Sequence, residues 1–408
     1  MSMNETPRSN RLHIGIFGKR NAGKSSLINL ITDQPVSLVS SYAGTTTDPV
    51  FKNMEINPLG PVTFIDTAGF DDEGEIGLLR IAKTEEVLAK TDVALLVIPA
   101  DGEAEYSYEK EWADKFRERK IPVAGILSRS DLIAPEEAEK KTKSLSRELG
   151  IEIITASSQS KSDRYKVIAL IVKNTPAEEE KDILTSDLYK EGEVVVLVMP
   201  QDRQAPKGRL ILPQVQVIRD ILDHGGLPFA TVTEKLPEVL ASLKNPPALV
   251  ITDSQVFAEV NRMVPREVPL TSFSVIMARN KGDLGIFVRG AEAIEKLRPD
   301  SNILIAESCT HAPLTEDIGR EKIPAMLRKR YGEGLVFDIA AGISFPENIE
   351  QYDLILHCGG CMFTRRQLMT RLIRAEEEKV PVTNYGIAIA KITGILERVT
   401  EMFPEIRK

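Results

Sequence analysis

A chain of 408 residues is longer than one ordinary hydrophobic core sustains, so two or three domains are expected. Its 52 basic and 60 acidic residues leave a net charge of -8, which argues against a broad nucleic-acid footprint or an anionic-membrane surface and leaves room only for a local basic patch. The opening MSMNETPRSNR holds no apolar signal core, and no later apolar run approaches the ~18 residues that cross a bilayer. A cytoplasmic protein is therefore expected. The three cysteines all lie beyond position 300; an odd number makes no disulfide framework, and clustered thiols in a reducing compartment more often serve metal or redox chemistry.

In chain order, Leu12 to Phe17, Val62 to Ile65, Val93 to Ile98, Val123 to Leu127 and Ile151 to Ile154 are short apolar runs alternating with helical patterns. They predict buried parallel strands of an α/β domain over 1–173. The charged, proline-bearing stretch 174–192 reads as a linker or an exposed helix. The block 193–265 opens on the strand-forming run Glu193 to Met199, continues through a helical pattern at Val215 to Leu222, and reaches a buried run at Ala248 to Thr252, with no catalytic motif. The last block, 266–408, has runs at Ile303 to Ala306, Leu335 to Ile339 and Asp353 to Leu356. A helix from about Phe363 to Glu378, a short strand near Val382 and a final helix follow.

Directly after the first strand, Gly18-Lys-Arg-Asn21-Ala22-Gly23-Lys24-Ser25-Ser26 leads into a helix with Leu27, Ile28 and Ile31 on its apolar face. This is a P-loop in its strand-to-helix setting, so the first domain is predicted to be a P-loop GTPase domain, followed by two further α/β domains with mostly parallel sheets. The glycines let backbone N–H groups curl round phosphates, Lys24 supplies charge to the β and γ phosphates of GTP, and the Ser25 hydroxyl is a ligand for Mg2+. A plain glycine turn before a helix is the bland alternative. Asp66-Thr-Ala-Gly69 after the strand Val62 to Ile65 places a carboxylate for the magnesium shell and a backbone N–H for the γ-phosphate. Thr46, in the run Gly44 to Pro49, is the candidate that closes over Mg2+ and γ-phosphate in the triphosphate state, against a reading of that run as a simple polar loop.

The base-reading loop is Ser128-Arg129-Ser130-Asp131, where guanine-binding proteins usually carry Asn-Lys-x-Asp. Asp131 can accept both the ring N–H and the exocyclic amine of guanine, which adenine cannot satisfy. Arg129 can lie against the base, whereas Ser128 cannot replace every hydrogen bond of an asparagine amide. Ser157, in Thr155-Ala156-Ser157, resembles the small final loop that contacts the guanine ring. Asn21, the Gly-Thr-Thr stretch and Asp-Thr-Ala-Gly are similar to the tRNA-modification and ribosome-assembly branch of GTPases. That resemblance implies a K+ ion held by Asn21 near the phosphates. Phe70 stands where other GTPases use a water-orienting glutamine, which predicts slow intrinsic hydrolysis; Asp71, Asp72, Glu73 or Glu75 can orient the water or be simply solvated.

Cys309-Thr-His311 follows the strand Ile303 to Ala306, and His357-Cys358-Gly-Gly-Cys361 ends the strand Asp353 to Leu356. Both groups are expected at carboxyl ends of parallel strands, where open α/β sheets bind ligands. Cys361 is expected to open a helix, whose N-terminal dipole favours a thiolate. A thioredoxin-like redox pair, a zinc site, an iron–sulfur cluster on three thiolates and buried structural cysteines all fit this spacing. Taken singly, His311 and His357 are more often hydrogen-bonded residues than ligands.

The whole arrangement, an Asn-bearing GTPase domain, a motif-free middle and Cys-x-His followed by His-Cys-x-x-Cys, resembles the iron-iron (FeFe) hydrogenase maturation GTPases. The resemblance implies a dimerisation domain at 193–265 and an iron–sulfur domain at 266–408, whose four-iron, four-sulfur cluster sits on Cys309, Cys358 and Cys361. His311, His357 and Glu316 are candidates for its fourth ligand or for hydrogen-bonding neighbours. It further implies a homodimeric scaffold that receives a diiron precursor from two radical-SAM maturases and delivers it to apo-hydrogenase. Two rival classes remain at this point: an RNA-modification or ribosome-assembly GTPase with a structural metal site, and an oxidoreductase using the cluster for electron transfer. A nucleic-acid partner is disfavoured by the charge balance.

Overall fold

The computed structural model describes residues 11–32, 50–67, 69, 84–102, 105–176, 184–200, 210–308, 317–342, 345–360 and 362–406. It divides into two compact units, one ending at Ala177 and the other beginning at Glu178.

The first unit is built on six strands: β1 (Leu12–Phe17), β2 (Val50–Ile56), β3 (Gly60–Asp66), β4 (Val93–Pro99), β5 (Val123–Ser128) and β6 (Ile153–Ala156). They lie in the order β2-β3-β1-β4-β5-β6, and every pairing is parallel except that of β2 with β3. The central strands β1 and β4 are apolar and almost wholly buried because helices cover both faces of the sheet. On one face the helices Ser107–Glu118 and Pro135–Leu149 bury Trp112, Phe116, Leu145 and Leu149 against Phe17 and Leu96. Phe17 meets the rings of Trp112 and Phe116 at centroid distances of 5.5 and 4.9 Å. On the other face the helices Lys24–Thr32 and Lys161–Asn174 bury Leu27, Ile31, Val167 and Ile171 against Ile14, Ile16 and Val97. Consecutive strands depart from β1 to opposite sides, so the end of β1 is the switch point where such sheets bind ligands.

The second unit carries two four-stranded sheets, all parallel. One has the order β10-β9-β7-β8, from β7 (Val194–Val198), β8 (Leu227–Thr231), β9 (Leu249–Thr252) and β10 (Leu270–Ser272). The other has the order β12-β11-β13-β14, from β11 (Asn302–Glu307), β12 (Val336–Ala341), β13 (Leu354–His357) and β14 (Val382–Asn384). A single continuous core joins them, with Val196, Ile251, Phe287, Leu304, Leu356 and Phe403 in one cluster. The helix Leu284–Ala291 lies so close on β14 that a Cβ at Gly290 would stand 1.9 Å from the Val382 carbonyl oxygen, so only glycine fits there.

The boundary expected between 265 and 266 falls between β9 and β10, two paired strands of one sheet. Within the stretch expected as a linker, Thr185 is fully buried, and both its N–H and its hydroxyl donate to Asp220 Oδ2, at 3.0 and 2.6 Å. A buried carboxylate needs such donors, and this tie docks the segment on the helix Leu212–Asp223. No helix among the described residues is long and apolar enough to cross a membrane.

Candidate functional site

The loop after β1 takes its shape from glycine. Gly18 has φ +154°, and a Cβ there would lie 2.4 Å from the Val97 carbonyl oxygen of the neighbouring strand; Gly23 has φ +94°. The buried Lys24 folds back over the loop, its Nζ donating to the carbonyl oxygens of Gly18 and Lys19 at 2.8 Å each. Ser25 and Ser26, in the first turn of the following helix, are exposed.

The parallel register of β1 and β3 sets Asp66 opposite Ile16, beside this loop. Ser25 Oγ donates to Asp66 Oδ2 at 2.6 Å. Burial pushes the Asp66 carboxyl above its ordinary range, partly offset by the Ser25 hydroxyl and the Lys24 charge. Its Oδ1 is buried with no hydrogen-bond partner among the described residues. A buried carboxylate oxygen left unsatisfied beside a serine hydroxyl fits a hard divalent cation or a water on it, which supports magnesium as the ion for this site. Thr67 Oγ1 donates to the Ile16 carbonyl at 2.7 Å, pinning the segment that reaches the buried Gly69. Thr46, Phe70, Asp71, Asp72, Glu73 and Glu75 lie outside the described residues.

At the end of β5, Ser128 pairs with Pro99 on one side and Ala156 on the other, so the segment leading to Asp131 and the one leading to Ser157 emerge side by side. Ser128 Oγ is 2.6 Å from the Ala22 carbonyl and 3.2 Å from that of Ile98. Arg129, at φ +53°, donates to the Asn21 carbonyl at 2.9 Å and to Asp101 Oδ2 at 3.1 Å. The two residues that depart from the usual base-reading sequence thus hold the P-loop by its backbone. From sequence alone they stand only as neighbours of the base; the signal for the second role is a small hydroxyl at the end of a buried strand. Asp131 is exposed in the short turn Ser130–Leu132. The Ser157 N–H donates to Asp163 Oδ2 at 3.0 Å, and its Oγ accepts from the Gln159 N–H at 3.1 Å.

In the second unit, β11 is flanked by β12 and β13, reached in opposite directions, so the carboxyl ends of β11 and β13 form another switch point. Ala306 sits opposite His357, and the Cys358 N–H donates to the Ala306 carbonyl at 2.9 Å. This register brings Ser308 to Cys358: the Ser308 N–H donates to Sγ at 3.1 Å, and the Ser308 hydroxyl lies 3.1 Å from the same sulfur. Gly360 has φ +66°, so the chain turns tightly after the thiol, and a Cβ on Gly359 would meet nothing within 4 Å among the described residues.

His357 is fully buried. Arg371 can only donate, so its contact with His357 Nε2 at 3.1 Å makes Nε2 the acceptor and puts the ring proton on Nδ1, which donates to the Cys358 carbonyl at 2.9 Å. Burial, and secondarily the Arg371 charge, pushes the imidazole down to about 3. Both nitrogens are engaged, so the ring braces the turn at Cys358. The Arg371 guanidinium stacks on Phe345 and Phe363 at 4.8 and 4.6 Å, and donates to the Gly342 carbonyl at 2.7 Å. The fold also braces both flanks of residues 309–316. Glu307 pairs through both oxygens with Arg320, at 3.0 and 2.5 Å, and Asp317 Oδ1 accepts the Arg320 N–H at 2.8 Å.

Cys309, His311, Glu316 and Cys361 lie outside the described residues, and no group of three metal-ligating side chains occurs among those described. The expectation that Cys361 opens a helix is corrected: the helix begins at Arg365, where Thr364 and Gln367 form a reciprocal capping box. Any N-terminal dipole therefore acts from four residues further on.

Three family models match the chain in succession. Residues 13–129 match a 50S ribosome-binding GTPase, residues 184–282 the hydrogen maturase F dimerization domain, and residues 285–402 the hydrogen maturase F tetramerization domain. The chain is 45% identical over 94 residues to GTPase Der of Campylobacter jejuni (strain 81-176), a match covering 22% of this chain and 20% of that protein. It is 34% identical over 175 residues to GTPase Der of a Nitratiruptor species, covering 41% of this chain and 37% of that one. The match thus spans a fifth to under two fifths of those relatives' length. Among solved structures, Era in complex with MgGDPNP and nucleotides of 16S ribosomal RNA aligns with a TM-score of 0.37 and 20% identity, over 54% of this chain and 92% of that one.

Proposed function

The chain belongs to the hydrogen maturase F family, whose two consecutive modules cover more than half of it, and on that premise we propose that it is a GTP-hydrolysing scaffold that carries a four-iron, four-sulfur cluster in its second unit. The observation that carries the cluster reading is the meeting of the Cys358 sulfur with the Ser308 N–H at a sheet switch point, one residue before Cys309 in sequence. Thiolate chemistry at that position suits a soft iron centre. Cys309, Cys358 and Cys361 are the proposed ligands, with Glu316 or His311 the candidates for an exchangeable fourth position. His357 is assigned the bracing role that its two hydrogen bonds describe. The cargo is a diiron precursor supplied by two radical-SAM maturases and passed to apo FeFe-hydrogenase.

In the GTPase site, Lys24 and the loop N–H groups would cradle the β and γ phosphates, while Ser25, Thr46 and Asp66 would hold magnesium directly or through water. Bound magnesium would supply positive charge against the phosphates. Gly69 would offer its N–H to the γ-phosphate, and Asn21 an oxygen to potassium. Gly18, Ala22, Gly23 and Ser26 shape or line the loop, with Ser128 and Arg129 fixing it from the base side. Asp131 and Ser157 would receive guanine.

Asp131→Asn is expected to move preference from guanosine toward xanthosine triphosphate by about tenfold or more, because the new amide offers a donor where guanine needs an acceptor. Competition binding with the two nucleotides measures this; a variant still strictly guanine-specific removes Asp131 as base reader.

Self-association would use the exposed apolar edge of β8, where Leu227 and Phe229 are 52% and 41% exposed, with Val232 just beyond the strand at 41%. An edge strand presents unpaired backbone groups that a second copy can extend. Phe229→Asp is expected to weaken the dimer by at least about tenfold, equivalent to about 1.4 kcal/mol. Sedimentation equilibrium reads the change, and unaltered dimerisation moves the interface elsewhere.

A ribosome-assembly role has the similarity of residues 13–129 in its favour. It leaves the buried Arg371 and His357, and the half-buried Cys358 that they brace, without a task. Nucleotide-dependent binding to ribosomal particles by the full chain, with no iron or sulfide bound, would favour it.

A further inference from the structure

We propose that Ser308 is a positioning residue for the Cys358 sulfur, its N–H and hydroxyl together setting the reduction potential of the iron–sulfur centre that this sulfur holds. The inference rests on the cluster reading and extends it to a residue that is not itself a ligand.

Ser308 is 6% exposed, so water competes poorly for its donors. Its N and Oγ each stand 3.1 Å from Cys358 Sγ. A backbone N–H can only donate, which makes the sulfur an acceptor, and a thiolate leaves the serine hydroxyl as the donor in the second contact. Among the described residues the Ser308 hydroxyl has no other hydrogen-bond partner. The alignment is not a matter of side-chain chance: the pairing of Ala306 with His357 and the Cys358 N–H to Ala306 carbonyl bond fix the two strand ends against each other. Below them, Glu307 is locked by Arg320, and His357 by Arg371. Two donors withdraw electron density from one ligand sulfur and favour the reduced, more negative state, so they raise the potential. The N–H contact survives side-chain replacement, so a substitution isolates the hydroxyl.

The test is a redox titration of the reconstituted full-length chain, followed by electron paramagnetic resonance, in wild type, Ser308→Ala and Ser308→Thr. The couple is one-electron uptake by the cluster from dithionite, with no protein bond made or broken. Alanine is expected to keep iron and sulfide content and to show a several-fold to tenfold smaller ratio of reduced to oxidised cluster at fixed potential, a full tenfold being about 59 mV. Threonine, which keeps the hydroxyl, should titrate like wild type. Loss of the cluster in alanine alone would assign the hydroxyl to assembly and not to the potential, and it too overturns the proposal. An alanine potential equal to wild type, a threonine shift as large as alanine's, or loss of the cluster in both variants overturns the proposal. A wild-type chain that binds no iron and sulfide fails at the earlier step, the cluster reading itself.

Discussion

Lys24→Ala is expected to lower GTP turnover by about two to three orders of magnitude, the usual cost of removing one placed donor from a developing anion. The fold should hold to within about 1 kcal/mol, since Lys24 is the first residue of the helix Lys24–Thr32 and lies outside the apolar clusters on either side of the sheet. Its Nζ satisfies two carbonyls of the loop, and alanine frees both, so a small local loosening is part of the expected result. Phosphate release and thermal melting on the same samples separate the two effects. Unchanged turnover removes the P-loop assignment, whereas a collapsed melt would mean that Lys24 holds the loop more than it serves the nucleotide. In the wild-type chain, potassium should accelerate hydrolysis more than sodium; equal rates would withdraw Asn21 as a cation ligand.

Cys358→Ser is expected to remove most of the iron–sulfur content, and Cys309→Ser and Cys361→Ser to do the same, because a serine oxygen is a poor substitute for thiolate at a soft iron centre. His357→Ala tests a different link. It takes away the ring between Arg371 and the Cys358 carbonyl and leaves a buried cation facing a void, so destabilisation of about 2–4 kcal/mol is expected along with impaired cluster assembly. Glu316→Ala should keep the cluster and alter its ligand exchange. Full cluster occupancy after loss of any one cysteine would contradict the ligand set.

The nucleotide site was legible because phosphate binding compresses its requirements into contiguous sequence: Gly18 to Ser25 must follow a strand and open a helix whatever the rest of the chain does. The same holds for β1, β4 and β5, whose double burial leaves continuous apolar runs. Strands β2 and β8 went unseen for the complementary reason. Residues of β2 are exposed or partly buried until the buried Ile56, and β8 is an edge with an exposed apolar face, so neither forms a buried run. Strand β10 spans only Leu270 to Ser272 and gains its place from pairing with β9. The helix start at Arg365 could have been read from Thr364-Arg-Arg-Gln367, a capping-box sequence that outweighs the glycines before it. What no local pattern carried is the company of Cys358. Ser308 is fifty residues away in sequence and meets it only through the β11 to β13 register, and Arg371 arrives from a helix beyond. Ser128 and Arg129 as supports of the P-loop are likewise products of β5 standing beside β4.

The central claim, that a GTPase domain and a thiolate-held iron–sulfur centre share this chain, is tested most directly by elemental analysis of the full-length protein after anaerobic purification and reconstitution. Iron and acid-labile sulfide should approach about four of each per chain, with zinc well below one. Zinc at about one per chain without labile sulfide would contradict the account and leave a structural metal site in its place.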